Sequence, residues 1–220
     1  MIFSGALLVL LSLSALAIGR EAPMNKPFSQ ACENNKRPIL KVLEHFFTES
    51  GKVLEIGSGT GQHAVCFAQH LPHLVWQTSD LPDNHPGIRQ WISEAGLTNL
   101  KLPFELDVSS DTWPVDGIDY VFSANTSHIM PWESVVKMFE GVGKWLTEGG
   151  RFALYGPFNY QGQFTSDSNA AFDRHLKEME PHRGIRDFEA IQQQAGHNGL
   201  MLLEDVAMPA NNRLLVWSKG

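Results

Sequence analysis

Along the chain, short runs of consecutive apolar residues alternate with longer stretches whose apolar positions recur every three or four residues. The first pattern belongs to strands buried on both faces, the second to helices that pack by one face. Residues 38–47 have helical spacing, with Ile39, Val42, Leu43 and Phe46 on one side. A first strand is predicted over 52–56, followed by a helix over 61–70 whose Ala64, Val65 and Ala68 can pack closely on a sheet. A second strand, 74–80, ends in an acid, and a helix over 87–96 closes on Gly96. A third strand over 100–108 is weakened at Pro103, and a fourth covers 118–125. A helix over 131–146 carries proline at its start, and a fifth strand covers 149–157. Helices near 168–178 and 186–195 precede two last strands, "LMLLEDVAM" and "RLLVWSK", joined by "PANN".

Regular alternation of strand and helix implies an α/β fold, a seven-stranded, mostly parallel sheet with helices on both faces. The final pair departs from this, because four turn residues close a hairpin and cannot make a parallel crossover, so the last strand is antiparallel. In such sheets ligands bind beyond the carboxyl ends of the strands, near the point where strand order reverses. Residues at strand ends are therefore the ones to inspect.

Composition narrows the partners. The 220 residues are 43% hydrophobic and 19% charged, enough for one sizeable core and without disorder or repeats. With 24 acids against 17 lysines and arginines, the formal charge is −7, which provides no basic stripe for a phosphate backbone and disfavours nucleic acid. Cys32 and Cys66 are too few for a disulfide framework and lack zinc-site spacing, as expected of reduced thiols in a cytoplasmic protein. Residues 1–23 stand apart: Met1 to Gly19 carries no charge, the basic flank of a signal peptide is missing, and the first cation is Arg20. This segment reads as a membrane anchor, a cleaved signal or an upstream extension before a true start at Met24, leaving 24–220 as one domain. A membrane partner arises only if residues 1–19 persist as an anchor.

The most informative stretch is "VLEIGSGTGQHA", residues 53–64. Gly57, Gly59 and Gly61 follow a strand and open a helix, with Ser58 between the first two, so the backbone can turn tightly and a ligand can approach without meeting a Cβ. The dinucleotide fingerprint is G-x-G-x-x-G; here the third glycine arrives one residue early, with Gln62 in its place. Glu55, just before the loop, would oppose a phosphate and suits a cationic ligand. E-x-G-x-G-x-G is the loop of class I methyltransferases, whose donor, S-adenosylmethionine, carries a zwitterionic aminoacyl group and a positive sulfur. Asp80 ends the second strand about 20 residues on, where a carboxylate can accept ribose hydroxyls; a turn or helix-cap role is the alternative, with Asp83 and Asn84 as competitors. Asp107 ends the third strand, where its side chain and the Val108 backbone can meet an adenine edge.

Beyond these motifs, "PFSQACENNKRPIL", "ANTSHIMPW", "LYGPFNYQGQFTSDSNAAFD", "GIRDFE" and "MPANNRLLVW" are similar to the methyltransferase-like 26 family, also known as domain of unknown function 938. The resemblance runs from Pro27 to Trp217 and implies a Rossmann-like class I methyltransferase fold with an S-adenosylmethionine pocket. The family usually has arginine where this chain has Asn34.

Acceptor chemistry is expected at the end of the fourth strand. "SANTSHIMPW" lacks the Asn/Asp-Pro-Pro-aromatic sequence of amino methyltransferases. Asn125 can offer amide hydrogen bonds to cofactor or acceptor, and His128 can remove a proton from a nucleophile; a cap or surface role is the alternative for the histidine. Tyr155, Asn159, Tyr160, Phe164, Ser166, Ser168 and Asn169 form a candidate lid, some of them serving packing and capping instead. Arg186 and Asp187 read equally as an ion pair, and Asn211 and Asn212 as turn residues. The functional expectation is a methyltransferase with a small-molecule or protein acceptor. The alternatives are a catalytically silent S-adenosylmethionine-binding module and, less favoured, a nicotinamide-dependent reductase, which would want wider glycine spacing and a Tyr–Lys proton donor.

Overall fold

The computed structural model describes residues 26–220, so the readings of segment 1–23 and of the start at Met24 fall outside the described residues. The chain runs α1 (Gln30–Phe46), β1 (Gly51–Ile56), α2 (Gln62–His70), β2 (Leu74–Asp80), α3 (His85–Ala95), β3 (Leu100–Glu105) and β4 (Ile118–Ala124). It continues through α4 (Trp132–Trp145), β5 (Leu146–Gly156), β6 (Phe158–Asn159), α5 (Asp167–Met179), β7 (Arg186–Asp187), α6 (Phe188–His197), β8 (Leu200–Met208) and β9 (Asn212–Lys219). Among the described residues no helix is long and apolar enough to cross a membrane.

Seven strands form one sheet in the order β3-β2-β1-β4-β5-β9-β8. β1 to β5 are mutually parallel, whereas β9 is antiparallel to both β5 and β8. The hairpin thus forms as its short turn requires, and the final strand inserts between its partner and β5. Burial explains that choice: Leu214, Leu215, Val216 and Trp217 of β9 are all buried, while Met201 and Leu203 of β8 stay exposed at the sheet edge. Asn212 turns the corner by donating its side-chain amide to the Pro209 and Ala210 carbonyls. Pro103 lies in β3, the opposite edge strand, where a missing N–H costs least.

Alternation along the central strands feeds two cores. Val53, Trp76 and Phe122 pack with α1, α2 and α3 through Ile39, Leu43, Phe67 and Ile88. Leu54, Ile56 and Val121 pack on the other face with α4 and α6 through Met138, Phe139 and Ile191, joined by Trp217. Each such fully buried side chain contributes about 1.5–3 kcal/mol relative to exposure.

α1 starts two turns earlier than its apolar spacing predicts. Ser29 caps it, its Oγ accepting from Cys32 N, and Pro38 sits inside the helix. The added turns are polar because they face polar partners: Gln62 Oε1 accepts from Ser29 N, and its Nε2 donates to Glu33. Strand order reverses between β1 and β4. Their carboxyl ends, Ile56 and Ala124, release the glycine loop and the Asn125–Pro131 loop side by side.

Candidate functional site

The loop after β1 is pinned from below, the N–H groups of Gly57 and Ser58 both donating to the Ser79 carbonyl at 3.1 and 2.9 Å. Its first two glycines answer different needs. Gly57, at φ +72°, has no room for a side chain, since a Cβ there would fall 2.6 Å from Thr126 Cγ2 on the β4 loop. Gly59, at φ +58°, has nothing within 4 Å of that position and opens onto a cavity of about 1010 Å³. Gly61 is the N-cap of α2 and lies against the backbone of Ile88 in α3.

The three acids occupy different depths. Glu55 does not line the cavity; it is buried under the loop, where Oε2 accepts from Ser58 Oγ at 2.8 Å and Trp76 Nε1 at 3.2 Å. Burial pushes its carboxyl up to about 7 against the pull of those two hydrogen bonds, and the nearby Asp80 adds to the rise. Asp80 is on the wall: Oδ2 accepts from Gly59 N at 2.7 Å, and Oδ1 accepts from Leu81 N at 2.7 Å and Asn84 Nδ2 at 2.8 Å. It combines the turn-stabilising contacts with a place in the cavity. Asp107 lies two residues beyond β3, exposed, its Oδ1 accepting from Ser109 N at 2.9 Å, with the buried Val108 beside it on the same lining.

Across the loop, Asn125 leaves β4 at φ +59°, in the left-handed region that costs a non-glycine residue energy, and its N–H donates to the Tyr155 carbonyl at 2.8 Å. His128 lines the cavity with its ring 4% exposed and no hydrogen-bond partner at Nδ1. Burial, with the charges of Arg186 and Arg183, lowers its pKa to about 4, so the imidazole is neutral. Phe172 of α5 meets that ring edge-on at 5.4 Å. Arg186 makes no hydrogen bond or ion pair with Asp187, contrary to the pairing their adjacency raised. Its Nε donates to the Ser127 carbonyl, and Nη2 donates to those of Met130 and His182. The guanidinium thereby holds the loop that carries His128.

The candidate lid residues divide. Tyr155, Ser168 and Asn169 line the cavity. Ser166 caps α5, accepting from Asn169 N, and Tyr160 donates its hydroxyl to Asp205 on β8 at 2.6 Å. Asn159 is buried in the short β6–β7 pair, and Phe164 is exposed, neither on the lining. Sequence reasoning missed the contribution of α1 and α2. His63 Nε2 meets Asn35 Oδ1 at 2.6 Å, its Nδ1 lies 3.9 Å from Cys32 Sγ, and all three residues face the cavity. Burial lowers the His63 pKa to about 4 and raises that of the Cys32 thiol, so this is a neutral cluster. The run of cap serine and amides in "SQACENN" is its one sequence signal.

A family model described as a protein of unknown function, DUF938, matches residues 26–219. Among solved structures, the S-adenosylmethionine-dependent methyltransferase SibL in its apo form shares 22% identity over 86% of this chain and 55% of its own, with a TM-score of 0.73. An O-methyltransferase family protein from Burkholderia thailandensis shares 17% over 86% and 57%, with a TM-score of 0.76. The YcgJ protein from Bacillus subtilis shares 19% over 79% and 70%, with a TM-score of 0.63. The chain spans little more than half the length of the first two, and at these identities the likeness is one of fold: a methyltransferase-like Rossmann architecture.

Proposed function

The chain belongs to the family of unknown function DUF938, and from that premise we propose that it is an S-adenosylmethionine-dependent methyltransferase acting on a small-molecule or protein acceptor, within one domain spanning 24–220. The observation that carries this reading is the shared cavity wall. Gly57–Gly59, Asp80, Asp107, Val108 and Asn125 reach one space from four separate strand ends, and Gly59 leaves that space open. The charges favour the sulfonium donor over a dinucleotide. Asp80 and Asp107 face the cavity, Glu55 lies beneath it, and among the described residues no lysine or arginine lines it. A pyrophosphate would meet those carboxylates unfavourably.

When bound, the donor supplies a methyl group already activated by its positive sulfur. Asp80 suits a ribose hydroxyl: a carboxylate has about four acceptor sites, its three donors leave about one free, and displacing the Asn84 amide would free another. Asp107 and the Val108 backbone suit the adenine edge, and the Gly57–Ser58–Gly59 backbone suits the aminoacyl end. Glu55 acts through Ser58, holding the loop in shape. Asn125 and His128 stand where the acceptor would enter, and the protein's task is to align the nucleophile and exclude water. The free thiols Cys32 and Cys66 support a reducing, cytoplasmic setting.

Calorimetric titration of the full chain with S-adenosylmethionine and with nicotinamide dinucleotides separates the ligand classes. Binding of the sulfonium compound alone is expected, and binding of the dinucleotide alone would overturn the reading. Transfer of a radiolabelled methyl group to a component of a metabolite and protein extract then distinguishes an enzyme from a silent binding module.

A further inference from the structure

The cavity changes character from one end to the other. Its two lining carboxylates, Asp80 and Asp107, stand at the ends of β2 and β3, on the proposed donor side. Toward α5 and the β4 loop the wall carries no charged side chain among the described residues: Ile129 and Phe172 are 43% and 38% exposed although they line a concave site, with Met130 and the uncharged polar Thr126, Ser168 and Asn169 on the same lining. Apolar area of this kind gains by being covered. An acceptor carrying a full charge would lose hydration there with no oppositely charged side chain on that wall among the described residues, whereas an uncharged one would lose less.

One polar group on that wall, His128, can act as a base. His128 Nδ1 is buried without a partner, a costly arrangement unless a ligand or water completes it. Nδ1 faces the buried Gly156, where an added Cβ would lie 3.6 Å away in ordinary contact, while the residue as a whole lines the cavity. A neutral imidazole held between burial and two arginines is a weak base. It can help remove a proton from a phenol or thiol, whose ordinary pKa is about 10 or about 8.5, far more readily than one from an aliphatic alcohol.

Resting on the methyltransferase reading, we propose that the acceptor is an uncharged, mostly apolar small molecule bearing a phenolic hydroxyl or a thiol, seated against Phe172 and Ile129 and donating its O–H or S–H to His128. In the transfer the acceptor's O–H or S–H bond breaks and its proton passes to the His128 imidazole. The freed electron pair forms the new bond to the methyl carbon. The pair of the carbon–sulfur bond returns to the donor sulfur, which leaves as a neutral thioether.

The test keeps one ring system and varies the reacting group. The full chain is incubated with radiolabelled S-adenosylmethionine and 2-naphthol, 2-naphthalenethiol, 2-naphthylmethanol, 2-naphthoate or 2-naphthylmethylammonium. Labelling of the naphthol or the thiol at least tenfold above the other three is expected. His128→Gln should lower it about 100-fold, with donor affinity within twofold of wild type. Labelling chiefly of the carboxylate, the ammonium or the alkanol overturns the proposal, as does no labelling of naphthol or thiol by a protein that binds the donor. Absence of donor binding itself would instead defeat the methyltransferase reading.

Discussion

The donor end and the acceptor end of the cavity are built differently. At the donor end each polar group is already matched: Asp80 accepts three hydrogen bonds, Glu55 two, and the loop amides of Gly57 and Ser58 share the Ser79 carbonyl. Behind the acceptor end the opposite holds. Among the described residues, the buried side-chain atoms without a partner are Ser127 Oγ, His128 Nδ1, Asn159 Oδ1, Arg183 Nε and Asp187 Oδ1. All come from three segments that meet where β6 pairs with β7 and Arg186 clasps the β4 loop. Of these five residues only His128 lines the cavity, so the donor end is preformed at its surface, while the unmatched groups lie mostly beneath the acceptor end.

The largest effect that separates the two ends is expected from Arg186→Ala. Losing three charge-assisted bonds to the Ser127, Met130 and His182 carbonyls should destabilise the fold by about 3 kcal/mol in urea unfolding. Donor affinity, measured by calorimetry on the folded protein, should stay within a few-fold. An equal loss at the donor end would mean that the two ends are not separable in this way.

A smaller effect follows from pH. His63 and His128 have folded pKa values lowered to about 4, so their neutral forms belong to the fold. Their contribution is complete above about pH 6.5, the unfolded value, and is lost as pH falls toward 4. Glu55 runs the other way: its pKa is raised to about 7, so its burial penalty is absent below about pH 4.5 and full above 7. Two histidines outweigh one carboxylate, and stability should drop by about 2 kcal/mol from pH 7 to 5. His128→Gln should remove about half of the histidine part. A flat profile in urea unfolding, or one rising toward acid, would contradict these environments.

The smallest effect is expected from Tyr160→Phe, which deletes the bond to Asp205 on the side away from the cavity. It should cost about 1 kcal/mol of stability and leave donor affinity and methyl transfer unchanged. A change in either would put Tyr160 back among the lid residues.

Legibility in the sequence follows the same division. The glycine loop, Asp80 and Asp107 each stand at or just beyond the carboxyl end of a strand whose apolar run is plain, so local pattern placed them. The early turns of α1 were hidden because Cys32, Glu33 and Asn35 face the cavity, Gln62 and His63, which leaves no apolar stripe to count. The hairpin of β8 and β9 could be read from "PANN". The insertion of β9 beside β5 could not, since it depends on which of two apolar strands the whole sheet buries. Arg186 and Phe172 reach the site only through tertiary packing, and adjacency in sequence pointed Arg186 at the wrong partner, Asp187.

The most direct test of the donor site is a calorimetric titration of S-adenosylmethionine into the full chain, its Gly59→Arg variant and its His128→Gln variant. Gly59 opens directly onto the cavity, so a long side chain there fills the donor space, whereas His128 lies at the other end. The account predicts binding by the wild type and His128→Gln alike and at least about 100-fold weaker binding by Gly59→Arg, a loss of roughly 2.7 kcal/mol. No binding by the wild type, or equal binding by Gly59→Arg, would contradict it.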